Sequence, residues 1–364
     1  MKSKCDACLI RDSTSRLRPH PSIYPTIDPK VHYGAQTFAG KVVLITGASR
    51  GIGAEIALQF ARAGASLTLV ARSQASLDAS KDAILRERPS AQVLTFPADV
   101  RDVTKTEEAV TATVAKFGCL DILIANAALL RAADKRAFAL RVVITGRDSV
   151  IELFRLVAFA SKDPKGWWDI LEVNIRGPYN YIQCVECRML AVEPHAHAHL
   201  VLHSFSVPEL LKTKGQVVIV TSAAAQVRFP NASEYCTSKH AINRFAEFVT
   251  IGDSHFLYIF TPPPRIGAER YFPHRFAEYP DIKVFSVHPG SIQTDMADEF
   301  AGNVPVDSTV GLAAATVLYL TSGKADYLSG RYVSATWDLG EVERDWKEKI
   351  VMQNGLVSKL SIPV

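Results

Sequence analysis

No stretch of this chain stays apolar long enough to cross a bilayer. A spanning helix needs about 20 mostly apolar residues, whereas the most apolar windows, near 151–160 and 312–320, are short and the first carries charge. The amino end, MKSKCDACLIRDSTSRLRPHPSIYP, lacks the apolar h-region of a secretory signal, and Asp6 and Asp12 count against a transit peptide. A cytoplasmic location and no membrane span are the expectation. Charge of one sign is also scarce. Lys and Arg number 41 against 37 Asp and Glu, a formal +4 with no dense basic block, which gives no case for nucleic acid as a partner. Cysteine is sparse, six in 364 residues. Cys5/Cys8 and Cys184/Cys187 have the CxxC spacing of zinc knuckles, but the first pair sits in a polar tail and the second inside GPYNYIQCVECRML, which reads as helix. His195, His197, His199 and His203 have no Cys or carboxylate partners at ligand spacing and read as a polar loop, so no metal is expected.

A soluble-type composition is present, 48% hydrophobic and 21% charged, with enough chain for one large α/β domain or two ordinary ones. From residue 41 onward, apolar runs alternate with helical patterns. KVVLITG (41–47), SLTLVAR (66–72), AQVLTFPAD (91–99), DILIAN (121–126), QVVIVTS (216–222) and IKVFSVHPG (282–290) read as buried parallel strands. Helical stretches at 52–63, 74–87, 103–117, 167–190 and 235–250 lie between them. This alternation predicts an α/β fold, a doubly wound parallel sheet of Rossmann type, whose ligands bind beyond the carboxyl ends of the strands.

The first strand runs into TGASRGIG (46–53). Glycines at 47, 51 and 53 suit a sharp turn, close approach to a diphosphate and a helix whose amino end favours that anion. Farther on, EYCTSKHA (234–241) places Tyr235 and Lys239 at i and i+4, on one side of a helix. Moving a tyrosine pKa from about 10 to near 7 takes about 4 kcal/mol. A cation roughly 4 Å away, at an effective dielectric of about 20, supplies about that much. Taken alone, the spacing leaves open a proton-exchanging tyrosine and a surface pair at chance spacing.

Thr46-Gly47, Gly51-Ile52-Gly53, Asp99-Val100, Asn126-Ala127-Ala128, Asn174, Ser222, Tyr235, Lys239 and Pro289-Gly290, in that order, resemble the short-chain dehydrogenase/reductase family over most of 38–340. One mild departure is NAA where the family usually shows NAG. The resemblance implies an oxidoreductase that interconverts a carbonyl and an alcohol by hydride transfer. Tyr235 would be general acid or base, and Lys239 would lower its pKa and hold the nicotinamide ribose. Ser222 would orient the substrate oxygen, and Asn174 would hold a water linking Lys239 to solvent. Gly47, Ser49, Arg50, Gly51, Ile52 and Gly53 would cradle the cofactor, Asp99 and Val100 flank its adenine, and Asn126 support the cleft. Pro289, Gly290, Ile292 and Thr294 would cover its nicotinamide side. Ala71 and Arg72 stand where an acid would grip the 2′-hydroxyl of NAD. With Arg50 they favour a 2′-phosphate, so NADP(H) is the expected cofactor.

The spacing departs from the family. Asn126 to Asn174 and Asn174 to Ser222 are 48 positions each, and Lys239 to Pro289 is 50. Each gap is roughly 20 residues longer than expected for a compact domain. The expected organisation is a loosely ordered extension at 1–37, one dehydrogenase domain at 38–340 with insertions near 131–163, 191–213 and 251–276, and a tail at 341–364. The insertions are either loops shaping a pocket or translated non-coding sequence. The substrate is expected to be a small carbonyl or alcohol, and the assembly a homodimer or homotetramer. A different class of function stays open: a catalytically silent NADP-binding protein acting as redox sensor or scaffold.

Overall fold

The computed structural model describes residues 17, 19–130, 162–183, 206–229, 232–250, 281–294 and 306–359. Both CxxC pairs, the His195–His203 run and most of the three expected insertions lie outside these residues; of the second insertion, Ser206–Thr213 forms a helix.

Seven parallel strands form one sheet in the order β3-β2-β1-β4-β5-β6-β7: β1 (Val42–Thr46), β2 (Ser66–Ala71), β3 (Val93–Pro97), β4 (Ile122–Ala125), β5 (Gln216–Val220), β6 (Lys283–His288) and β7 (Arg331–Ser334). The strands alternate between two apolar layers. Val43, Ile45, Leu67, Leu69, Val218 and Phe285 pack on one side, with α2 (Gly51–Arg62) and the helix Val310–Tyr319. Leu44, Val70, Leu123, Val217, Ile219 and Val284 pack on the other, with α4 (Val103–Phe117) and α8 (Ser233–Thr250). Burial on both faces is why these strands read as continuous apolar runs, and each fully buried Leu, Ile or Val contributes about 1.5–3 kcal/mol of transfer free energy.

Helix starts follow side-chain capping. Ser73 opens α3 (Gln74–Glu87) by accepting from Ser76 N, Asp102 opens α4 by accepting from Lys105 N, and Asp163 opens α5 (Pro164–Leu171) by accepting from Lys165 N and Gly166 N. Helix α5 continues through a π turn (Glu172–Arg176) into α6 (Gly177–Ile182).

Residues 19–37 and 341–359 pack against the sheet domain. Residues 19–37 are a folded strap rather than a loose extension. Pro19 bridges Trp337, and His20 N donates to the Thr336 carbonyl at 2.7 Å. The Tyr24 hydroxyl donates to the Trp337 carbonyl at 2.6 Å and accepts from Leu339 N at 3.1 Å. Past residue 340, Val342 and Ile350 belong to the core, and Tyr332 N donates to the Leu356 carbonyl at 2.9 Å, so the tail seats on β7. No helix among the described residues is long and apolar enough to cross a membrane.

Candidate active site

The glycine turn joins β1 to α2, and its shape depends on missing side chains. Gly47 has φ +67°, the left-handed region where glycine is favoured. A Cβ on Gly53 would sit 2.3 Å from the Gly47 carbonyl oxygen, so the helix starts against the turn at a separation only glycine permits. Asn126, at the end of β4, fixes this turn: its amide donates to the Thr46 carbonyl at 3.0 Å and the Gly47 carbonyl at 3.1 Å. The Thr46 hydroxyl in turn accepts from Asn126 N and Ala127 N, both at 3.1 Å. From α3, the Ser80 hydroxyl donates to the Ala48 carbonyl at 2.9 Å. Ser49 is half-buried, Arg50 is exposed and precedes the first turn of α2, and Ile52 is partly buried on the core. The turn is thus a braced, open cradle whose amides fit a diphosphate at a helix amino end.

Beside it, Arg72 is exposed just past β2, and its positive field reaches Asp99. Asp99 is clamped by Arg101, which donates from Nε at 3.0 Å, Nη2 at 2.7 Å and its backbone N at 3.0 Å, and these bonds hold the Asp99 carboxyl below the usual range. Val100 is buried; its carbonyl accepts from Asn180 Nδ2 at 2.9 Å, and its side chain lies against Gly177. Across the cleft, Thr294 brings its methyl within 3.7 Å of where a Gly51 Cβ would stand, so the segment from Pro289 reaches back over the glycine turn. Pro289 is buried, Gly290 takes φ +96° against Ser308, and Ile292, also buried, bridges Ser308.

Ser222, Tyr235 and Lys239 come together at the carboxyl end of β5 and the first turns of α8. The Ser222 hydroxyl accepts from Ala224 N at 3.1 Å, capping the short 3₁₀ turn Ala223–Ala225, so its one proton stays available for donation. It is also close enough to the Tyr235 hydroxyl to draw the phenol's pKa down. Lys239 Nζ lies 5.7 Å from the Tyr235 ring centroid and donates to the Val220 carbonyl at 2.9 Å. An ammonium carries three donors, and Val220 uses one of Lys239's. The electrostatics differ from the expected pair. Burial raises the Tyr235 phenol above its ordinary value, Ser222 opposing this, and burial lowers the Lys239 ammonium to about 8. The ammonium sits over the ring, 5.7 Å from its centroid, and desolvation sets the direction for the phenol.

Asn174 lies buried in the π turn, but its amide is taken: Nδ2 donates to the Leu129 carbonyl at 2.9 Å and to Ser238 Oγ at 3.0 Å, while Oδ1 accepts from Leu129 N at 2.7 Å. Ser238 then donates to the Tyr235 carbonyl at 2.8 Å. The side chain braces the β4 loop against α8. Around it the π turn Glu172–Arg176 replaces i→i+4 with i→i+5 bonding, a local departure from the regular helix.

Sequence reasoning missed Arg101, Ser80, Asn180 and Ser238. It also missed the Lys162–Glu234 ion pair, where Glu234 further accepts from the Ser233 hydroxyl at 3.0 Å, beside Tyr235. Ser238, three residues from Tyr235 on the same helix, and Arg101, two residues from Asp99, had a usable local signal; the others join residues far apart in the chain.

A family profile described as short chain dehydrogenase matches residues 41–250. Short chain dehydrogenase mpl6 of Monascus purpureus is 31% identical over 94% of this chain and 95% of its own length. Among solved structures, a 7α-hydroxysteroid dehydrogenase complexed with NADH and 7-oxo glycochenodeoxycholic acid superposes with TM-score 0.58 at 19% identity, covering 86% of this chain and 97% of the other. An alcohol dehydrogenase from the archaeon Thermococcus sibiricus, complexed with 5-hydroxy-NADP, gives 0.55 at 20%, covering 81% and 95%. The chain belongs to the short-chain dehydrogenase family of oxidoreductases, which bind a nicotinamide cofactor and act on small molecules.

Proposed function

We propose that this protein is an NADP(H)-dependent oxidoreductase that interconverts a carbonyl and an alcohol, with Tyr235 as general acid and base. The observation that carries the reading is the grouping of Ser222 beside Tyr235 with the Lys239 ammonium over the same ring, at the strand ends that face the glycine cradle. When bound, the dinucleotide supplies the hydride, and the protein supplies position and the proton. Arg50 and Arg72 support a 2′-phosphate, and Asp99-Val100 would flank the adenine. Lys239 has donors left for ribose hydroxyls.

In the reducing direction, the Ser222 proton orients the substrate oxygen while Tyr235 gives up its own. A phenol raised by burial is fully protonated at neutral pH, the state a donor needs. The resulting phenolate is held by the Ser222 hydroxyl and by the ammonium above the ring. Protons return through Lys239.

Exposed Trp168, Tyr179 and Phe248 on α5, α6 and α8 support self-association as a homodimer or homotetramer. The location we assign is cytoplasmic.

The test follows NADPH absorbance against a panel of ketones, aldehydes and quinones. Turnover on at least one substrate is expected. Tight NADPH binding with no turnover on any of them would instead favour a silent sensor.

A further inference from the structure

Among the described residues, four buried polar atoms between α8 and β6 lack any hydrogen-bond partner: Nδ2 and Oδ1 of Asn243, Oγ of Ser286 and Nδ1 of His288. Their positions converge. Ser286 and His288 are two apart on β6 and so point to the same face, roughly 6.6 Å apart along the strand. Val284, on that same face, packs with Ile242, Ala246 and Val249 of α8, so it is the face that α8 covers. Asn243 lies on the buried side of α8, one turn beyond Lys239. Thr250, on the same flank of that helix, abuts Gly330 at the start of β7. That flank therefore faces β6 and β7. In β7, Tyr332 is the register partner of Ser286 and is also buried, closing the layer.

Asn243 is 3% exposed and Ser286 1%, and neither sits where bulk water can satisfy it. Leaving such groups bare costs about 1–3 kcal/mol each, and buried polar groups without protein partners are met by ordered water. Internal waters typically make about three hydrogen bonds, and four unpaired atoms at this spacing suit one or two of them. Ser286 and His288 do not bond each other.

We infer that Asn243, Ser286 and His288 enclose an internal water site between α8 and β6. The bound water ties the helix that carries Tyr235 and Lys239 to the strand end from which Pro289–Thr294 departs over the cofactor cleft. The tie adds to the direct Lys239–Val220 bond one strand away.

Two measurements on the full chain decide it. A crystal structure should show density for water within hydrogen-bond distance of at least three of the four atoms. Ser286→Ala removes one oxygen with almost no change of volume. With water present it strands a hydrogen bond, so the folded-to-unfolded ratio from urea titration should drop about threefold to tenfold. In a dry layer it would delete an unsatisfied group, and the ratio would stay level or rise. Side chains turned to bond one another with no water between them, or a ratio unchanged or raised in Ser286→Ala, overturns the inference.

Discussion

Lys239 Nζ donates to the Val220 carbonyl at 2.9 Å, an ammonium held at the end of β5 in the interior of the protein. Burial lowers it to about 8 from 10.5. Between those values the unfolded chain holds a proton the folded protein has released. This group therefore makes stability rise with pH from about 8 towards 10.5, and below about 8, where both states are charged, it adds no slope. Lys239→Met should remove that rise. The stability of the wild type minus that of Lys239→Met, from urea titrations between about pH 7 and pH 10, should increase with pH. Parallel curves would show that the ammonium is not desolvated.

Arg72→Asp should narrow or invert the preference for NADPH over NADH, which we expect to be at least about tenfold in the wild type, or about 1.4 kcal/mol. Dissociation constants for both dinucleotides, measured by fluorescence titration, check this. Equal affinity of the wild type for the two would remove the case for a 2′-phosphate site at Arg50 and Arg72.

Asn126→Ala should weaken binding of either dinucleotide about tenfold and lower stability by about 1–3 kcal/mol. It takes the donor from the Thr46 and Gly47 carbonyls and so loosens the cradle. Calorimetric binding and a urea titration read the two effects. Unchanged affinity would make the clamp irrelevant to the cleft.

Tyr24→Phe keeps the ring but strips Leu339 N of its acceptor and the Trp337 carbonyl of a donor. A loss of about 1–3 kcal/mol is expected, and a chain lacking residues 1–24 should lose at least as much. A truncated chain as stable as the full one would mean the strap contributes nothing.

Local pattern carried most of the sheet. The six apolar runs each contain an observed strand, from Val42–Thr46 to Lys283–His288, because strands buried on both faces leave a continuous signature. Arg331–Ser334 escaped because four residues beginning with a charged one make no such run; the Arg331 side chain is buried through bonds to Tyr327, Asn354 and Gly355. The strap at 19–37 escaped for a different reason: its order comes from Trp337 and Leu339, more than 300 positions away. Within the site, the family resemblance pointed to Ser222, Tyr235 and Lys239, but not to the balance between them. Tyr235 at i and Lys239 at i+4 predict proximity; only the fold shows that the ammonium lies over the ring and that burial raises the phenol. Nor could the sequence show that Asn174 lies beside α8 with its amide spent on Leu129 and Ser238.

The most direct measurement is turnover of Tyr235→Phe on a substrate that the intact protein reduces. One hydroxyl is lost, while the ring, its packing under Lys239 and the cofactor cradle remain, so NADPH affinity should hold within about twofold while kcat falls on the order of 10² or more, the usual scale for a positioned general acid. Wild-type kcat in Tyr235→Phe, with NADPH bound as before, would contradict the assignment of Tyr235 as the proton donor.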